Sequence, residues 1–321
     1  MRFSFLSLRH DPNGTSRLHV DLMNDLIERG HEVFYALPFY LVDKPFWTPC
    51  LAEKVNAMRL PRMGGFDAIF FSHHDLYTPG FPLTPLVNAC DAIRRFFILR
   101  SFLPGHLAIA ADPAIEKIAT SRWLHEQVSF YAGSGSHDPR RPHVHPIYGG
   151  VNLGRFRPPA QPRRVQHPPR ILFRDTIDTI KGSASIRYAL DILRQRGLNF
   201  EPLTLGGTEP QVLRQYQQAD IFVSAEVDWG LGWSASVAEA MACGCAVVCT
   251  DTPAVDLLAK DGVTALLVRP GDSESLANAI EQLILDPDLR TAIASAAAEL
   301  ACRFSIDRMT DEILRIMKNE E

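Results

Sequence analysis

Nowhere in its 321 residues does the chain carry an apolar run long enough to cross a bilayer. The opening MRFSFLSLRHDPNG lacks both a long hydrophobic stretch and a small-residue cleavage site, so a soluble cytoplasmic protein is expected. Charge of one sign is lacking as well: 33 Lys+Arg against 37 Asp+Glu leave a net charge of -4, which offers no field to gather nucleic acid. Cysteine is sparse, and six thiols in a chain of this length exclude a disulfide framework. Three of them, Cys243, Cys245 and Cys249, cluster in ACGCAVVC. A CxC turn without a second pair is a poor zinc site, so burial in a core is their expected role. A G-x-G-x-x-G turn is missing too. The loop after the first strand, RHDPNGTSR, has a single glycine, which tells against a nicotinamide-dependent oxidoreductase with tandem Rossmann sheets. No DxD-like pair stands at a strand end, so neither a metal nor a cofactor is expected.

What is present is a globular balance, 46% apolar and 22% charged, in a chain about twice the size of a common domain. Strand-like runs alternate with helical patterns throughout, which predicts an α/β architecture of parallel sheets covered by helices. In the first half, strands are expected at Phe3 to Leu8, Val33 to Leu37, Ala68 to Ser72, Phe96 to Leu99 and Lys117 to Thr120. Leu18, Leu22, Leu26 and Ile27 mark a helix that Gly30 ends. From 138 to 170 the chain turns rich in Pro and Arg and loses periodicity, as a connector does, and its basic residues read as a solvated linker. Beyond it, strands at Ile171 to Phe173, Phe200 to Leu205, Ile221 to Ser224, Ala246 to Thr250 and Thr264 to Val268 alternate with helices at Ser183 to Arg196, Gln211 to Ala219 and Ser234 to Cys243. Three helices from near Ser273, Asp288 and Ser305 finish the chain. Two domains follow, 1–155 and 156–304, with 305–321 expected to pack back across the boundary through Ile306, Met309, Ile313 and Ile316.

Two places could do chemistry. In Trp229 to Asp251, WGLGWSASVAEAMACGCAVVCTD, a glycine loop runs into a helix N-terminus, a ready site for a phosphate through the N–H groups around Gly232, Trp233 and Ser234. Glu239, about a turn inside, could reach a ribose diol, although Ser236-x-x-Glu239 also has the spacing of a capping box. The other place is Lys181-Gly182 between a strand and a helix, with Arg174 at that strand's end. Both cations would lie beyond the carboxyl edge of the sheet, where open α/β sheets bind ligands. Lys181 is expected to direct its charge at a ligand and to make no core contact.

These residues carry a resemblance. From Pro146 onward the chain resembles the retaining glycosyltransferases with the GT-B fold, often called glycosyltransferase family 4. The matching pieces are GGVNLGRFRP (149–158), Lys181-Gly182, ADIFVS (219–224), GWSASVAEAMACGCAVVCTD (232–251) and DGVTALLVRPGDSESLANAI (261–280). RGHEV (29–33), FDAIFFSHHD (66–75) and IATSRWL (118–124) are consistent with it in the first half.

The resemblance implies a GT-B architecture, two facing Rossmann-like domains with parallel sheets and a cleft between them. The second domain would bind a nucleoside diphosphate sugar and the first an acceptor glycan, lipid-linked sugar or small molecule, with retention at the anomeric carbon. Glu239 matches the second glutamate of the family's Glu-x7-Glu motif, which binds the ribose. Lys181 matches the lysine on the donor diphosphate, and Arg174 is offset from the family's arginine, whose place Thr176 holds. His74 resembles an acceptor-side histidine, and the loop at Gly14 would lend backbone N–H groups to the leaving phosphate. Cations and helix ends would take the place of a metal. The chain departs from the pattern at Leu231, where the first glutamate should stand. Glu226 and Asp228 lie just upstream in SAEVDWGLGW, and one of them is expected to serve the donor sugar instead. A non-catalytic nucleotide-sugar-binding subunit is the alternative that Leu231 raises. The apolar PFWTPCL (45–51) hints at a hydrophobic acceptor or a peripheral membrane contact.

Overall fold

The structure is a computed structural model and describes residues 1–7, 14–43, 49–72, 83–102, 107–131, 143–160, 168–177, 179–227, 230 and 232–319. The chain divides into two compact units, Met1–Gly149 with Ile306–Glu321, and Gly150–Ser305. Among the described residues no helix is long and apolar enough to cross a membrane.

The first unit runs β1 (Arg2–Leu6), α1 (Gly14–Glu28), β2 (Glu32–Leu37), α2 (Phe39–Val42), β3 (Glu53–Asn56), α3 (Leu60–Met63), β4 (Phe66–Ser72), α4 (Leu83–Ala89), β5 (Ala92–Leu99), α5 (Leu107–Ala111), β6 (Glu116–Ala119), α6 (Arg122–Tyr131) and β7 (Val144–Pro146). Its seven strands lie in the order β3-β2-β1-β4-β5-β6-β7, all parallel. Strands covered on both faces need apolar residues at nearly every position. The register supplies them as an aromatic file: Phe5 of β1, Phe70 of β4 and Phe96 of β5 stand side by side, with centroids 4.8 and 5.1 Å apart. β3 and β7, the two edge strands, are absent from the sequence expectations. Each is short and paired on one side only, and β7 (Val-His-Pro) lies inside the stretch read as linker, its proline placed at an edge, where a missing N–H is tolerated.

The chain leaves the second unit at Ser305, and α12 (Ile306–Met317) belongs to the first. Its buried Ile306, Met309 and Ile313 join the core that contains Leu18, Leu22 and Leu26 of α1. Each such side chain contributes about 1.5–3 kcal/mol when fully buried. Polar contacts fix the helix as well. Arg29 bridges Asp25 of α1 and Asp311 of α12, and Arg94 donates to the Ile316 carbonyl while pairing with Glu116 through two nitrogens. His145 of β7 shares that carboxylate at 2.7 Å.

Burial alone would raise the Glu116 carboxyl, but the bonds and charges of Arg94 and His145 outweigh it and hold the group near 2, against an ordinary 4.5. A carboxyl depressed on folding stabilises the native state above its unfolded value and stops doing so as pH falls through the folded one. The melting temperature should therefore drop as pH is lowered from 4.5 towards 2, and Glu116→Gln should flatten that part of the curve. An unchanged slope in the variant would show that the triad does not govern acid stability.

The second unit runs β8 (Arg170–Phe173), α7 (Ser183–Gln195), β9 (Glu201–Thr204), α8 (Glu209–Gln218), β10 (Ile221–Ser224), α9 (Ala235–Ala242), β11 (Ala246–Thr250), β12 (Leu266–Val268), α10 (Ser273–Leu285) and α11 (Pro287–Ala301). Its five parallel strands are ordered β12-β11-β10-β8-β9. Here the sequence expectations match closely in element type and order. The last strand starts later than expected because Thr264 is spent on a turn, donating to the Leu258 carbonyl and accepting from the Lys260 N–H. Cys243, Cys245 and Cys249 are buried where α9 turns into β11, and the Cys245 thiol donates to the Tyr216 carbonyl at 3.2 Å.

Candidate functional site

In the second sheet the chain steps from β8 to β9 on one side and then places β10 on the other side of β8. The gap between the carboxyl ends of β8 and β10 is the switch point at which open parallel sheets bind ligands. Arg174 follows β8 directly, and Glu226 lies two residues beyond β10.

The loop from β8 to α7 is tied down by its own backbone. Ser183 Oγ donates to the Arg174 carbonyl at 3.0 Å and accepts the Thr176 N–H at 3.1 Å. A 3-10 turn over Thr179–Lys181 then meets Gly182, whose φ of +66° is the left-handed value that glycine adopts without strain. A second constraint acts on the same residue: a Cβ built on Gly182 would stand 1.8 Å from the Ala225 carbonyl oxygen. The two strand-end loops thus touch backbone to backbone, and the Val227 N–H donates to the Ile180 carbonyl at 2.9 Å beside that contact.

The approach sets Lys181 Nζ 2.5 Å from Glu226 Oε1. The lysine side chain is 31% exposed and the glutamate side chain 6%, so the carboxylate is the more deeply set partner. Thr250 of β11 fixes the glutamate's backbone, its hydroxyl donating to the Glu226 carbonyl at 2.6 Å. Burial, then the charge of Glu226, push the neighbouring Cys249 thiol far up, so it stays protonated. A pocket opens beside the pair, lined by Arg174, Lys181, Ser224, Glu226 and Ser236. Among the described residues the Arg174 guanidinium makes no ion pair.

Helix α9 supplies the other wall. Its N-cap is Ser234, its first intrahelical bond runs from the Ala238 N–H to the Ser234 carbonyl, and Ser236 stands in the first turn. This corrects the capping box suggested by Ser236-x-x-Glu239: Ser236 is not the cap and Glu239 is the fifth helical residue, beyond the position from which a side chain can return to the cap. Glu239 is a buried carboxylate on a mostly apolar helix, three residues from Ser236 and therefore on the same face. The Ser234 N–H, one of the donors assigned to a phosphate, is occupied by the Ala254 carbonyl at 2.9 Å. The ring of Trp233 packs on Phe304 at 5.3 Å within the core, and Gly232 is buried next to it.

The structure therefore brings Arg174, Lys181, Glu226 and Ser236 to one pocket, with Glu239 farther along the helix. Asp228, Leu231, His74 and most of PFWTPCL lie outside the described residues. Gly14 is the first residue of α1, in the unit whose own switch point falls between β1 and β4. The Lys181–Glu226 pair is not foreseeable from the sequence. Its partners are 45 residues apart, and no spacing rule links two loops that meet only because their strands are neighbours.

Comparison with known proteins bears on the sequence of the second unit and on the fold. Residues 173–286 match the family described as Glycosyl transferases group 1. The chain is 34% identical over 139 residues to a D-inositol 3-phosphate glycosyltransferase of Actinosynnema mirum, covering 43% of this chain and 31% of that one. It is likewise 34% identical over 102 residues to the lipopolysaccharide core biosynthesis glycosyltransferase LpsE of Rhizobium meliloti, covering 32% and 29%. The chain spans about a third of the length of these curated relatives. Among solved structures, sucrose-phosphate synthase of Thermosynechococcus elongatus superposes with a TM-score of 0.75 at 15% identity, covering 99% of this chain and 98% of that one. Anabaena Alr3699/HepE in complex with UDP-glucose gives 0.73 at 17% identity, covering 99% and 100%. Residues 173–286 thus match the glycosyl transferases group 1 family, and the described residues form the two parallel α/β sheets of the GT-B fold.

Proposed function

We propose that the chain transfers a sugar from a nucleoside diphosphate sugar to an acceptor hydroxyl, with retention at the anomeric carbon. The observation that carries this reading is the convergence of Arg174, Lys181 and the first turn of α9 on one pocket at the switch point of the second sheet. In the reaction the bond from the anomeric carbon to the phosphate oxygen breaks and its electron pair departs on the diphosphate, while the acceptor oxygen forms the new bond and gives up its proton to the departing phosphate. The negative charge grows on the leaving phosphate, so cations placed there beforehand lower the barrier. Lys181 and Arg174 provide them, the helix end adds its dipole, and no bound metal is needed in this scheme. Glu239 holds the ribose, and the first unit carries the acceptor, a glycan, lipid-linked sugar or small molecule. The reaction belongs to the cytoplasm, with the chain at most peripheral to a membrane.

A thermal-shift panel of UDP, GDP, ADP and dTDP tests the reading, because a ligand that binds only the native state stabilises it. At 100 times its Kd the gain is about 2.7 kcal/mol. One of the four should raise the melting temperature, and Glu239→Gln should weaken that diphosphate about tenfold through the lost charge on the ribose contact. Stabilisation by NADH and by none of the four would overturn the proposal.

A further inference from the structure

The sequence pattern offers Glu226 to the donor sugar in place of the glutamate missing at position 231. Its surroundings assign it a different partner. The glutamate side chain is 6% exposed against 31% for the lysine, and one carboxylate oxygen is 2.5 Å from Lys181 Nζ. Its loop is held against the lysine loop by the Val227 N–H bond to Ile180 and by the close approach of Gly182 to Ala225, and the Thr250 hydroxyl anchors its carbonyl to β11. The first two fix the Glu226 loop relative to Lys181.

From this geometry we infer that Glu226 is a positioning residue for Lys181: it takes one of the three ammonium N–H bonds and so aims the other two at the pocket beside Arg174 and Ser236. A lysine has four rotatable side-chain bonds, and an untethered ammonium spends much of its time in water. An acceptor behind it removes that freedom before the ligand arrives, which is how preorganised charge gains its effect. The carboxylate's negative charge works against a diphosphate, so what Glu226 contributes is the position of its oxygen.

That distinction sets the test, which rests on the donor reading above. The probe is whichever of UDP, GDP, ADP and dTDP stabilises the wild-type chain most, with affinities measured by calorimetry. Glu226→Gln keeps an oxygen in place and removes the charge, and it should bind the diphosphate within about threefold of wild type. Glu226→Asp keeps the charge but withdraws it by one methylene, and it should lose about tenfold. Glu226→Ala should lose as much, and little more when combined with Lys181→Ala, since the two side chains act as one device. Should the alanine variant fail to fold, the order of glutamine over aspartate still decides. Normal binding by Glu226→Asp, beside a weakened Lys181→Ala, would overturn the positioning role and leave the donor reading standing; it would return Glu226 to the sugar. Lys181→Ala binding like wild type would overturn the lysine's role and this inference with it. No stabilisation by any of the four would remove the donor reading as well.

Discussion

Lys181→Ala is expected to slow sugar transfer by about 100-fold or more, the scale seen when one charge-stabilising group is removed from a reacting centre. The sequence alone makes this a clean loss of function, because a loop lysine has no core to disturb. The ion pair changes that expectation. Glu226, with a side chain only 6% exposed, would be left without its lysine, and a buried acceptor stripped of its partner costs about 1–3 kcal/mol. The single variant should therefore be both slower and less stable. A second substitution separates the effects: Lys181→Ala with Glu226→Gln should recover much of the lost stability and none of the lost turnover. Rates from a radiolabelled nucleotide sugar and melting temperatures on the same preparations would check it. Near-native turnover in either variant would remove Lys181 from the leaving-group role.

The largest effect on stability is expected at Gly182. Alanine there must hold a φ of +66°, and its Cβ would stand 1.8 Å from the Ala225 oxygen, so the two loops would have to part. Unfolding by denaturant should show a loss of roughly 3 kcal/mol or more, the left-handed strain adding to a backbone clash. Diphosphate binding should fall with it, because the same displacement moves Lys181 away from Glu226. Gly197, at the end of α7, serves as the comparison. It shares a left-handed φ of +77°, but a Cβ added there would meet nothing within 4 Å, so Gly197→Ala should lose only about 1–2 kcal/mol and bind normally. Equal losses at the two glycines would mean that strain alone matters and that the Ala225 contact has no weight.

The contrast between these glycines also marks how far the sequence can be read. Gly197 and Gly244 end helices, a role that local pattern announces, and the second unit is legible for that reason: its buried strands are continuous apolar runs, and two of the helices between them are closed by glycine. In the first unit the central strands are legible, while β3 and β7 are not, since half-exposed edge strands of three or four residues carry too few apolar positions to register. At the site, Lys181, Arg174 and Glu239 stand out because their residue types are informative next to a strand end or a helix start. What Gly182 does is invisible locally. Its requirement comes from Ala225, a residue on another loop, and the same juxtaposition creates the Lys181–Glu226 pair. The capping-box spacing misleads because the helix begins at Ala235, one residue ahead of Ser236, and spacing cannot tell which serine is the cap.

The burial of most of the chain's thiols has a practical consequence for watching the protein at work. Cys90, Cys243, Cys245 and Cys249 are buried, and burial pushes the half-buried Cys50 up to about 11, leaving little thiolate there at neutral pH. Cys302 is exposed, two residues before Phe304, on whose ring Trp233 packs. A maleimide dye should therefore settle on Cys302 without any engineering of the chain, within energy-transfer distance of a native indole. Trp233 leads into the helix whose first turn walls the pocket, so the light passed from indole to dye would register any shift of that wall as a donor arrives or a product leaves.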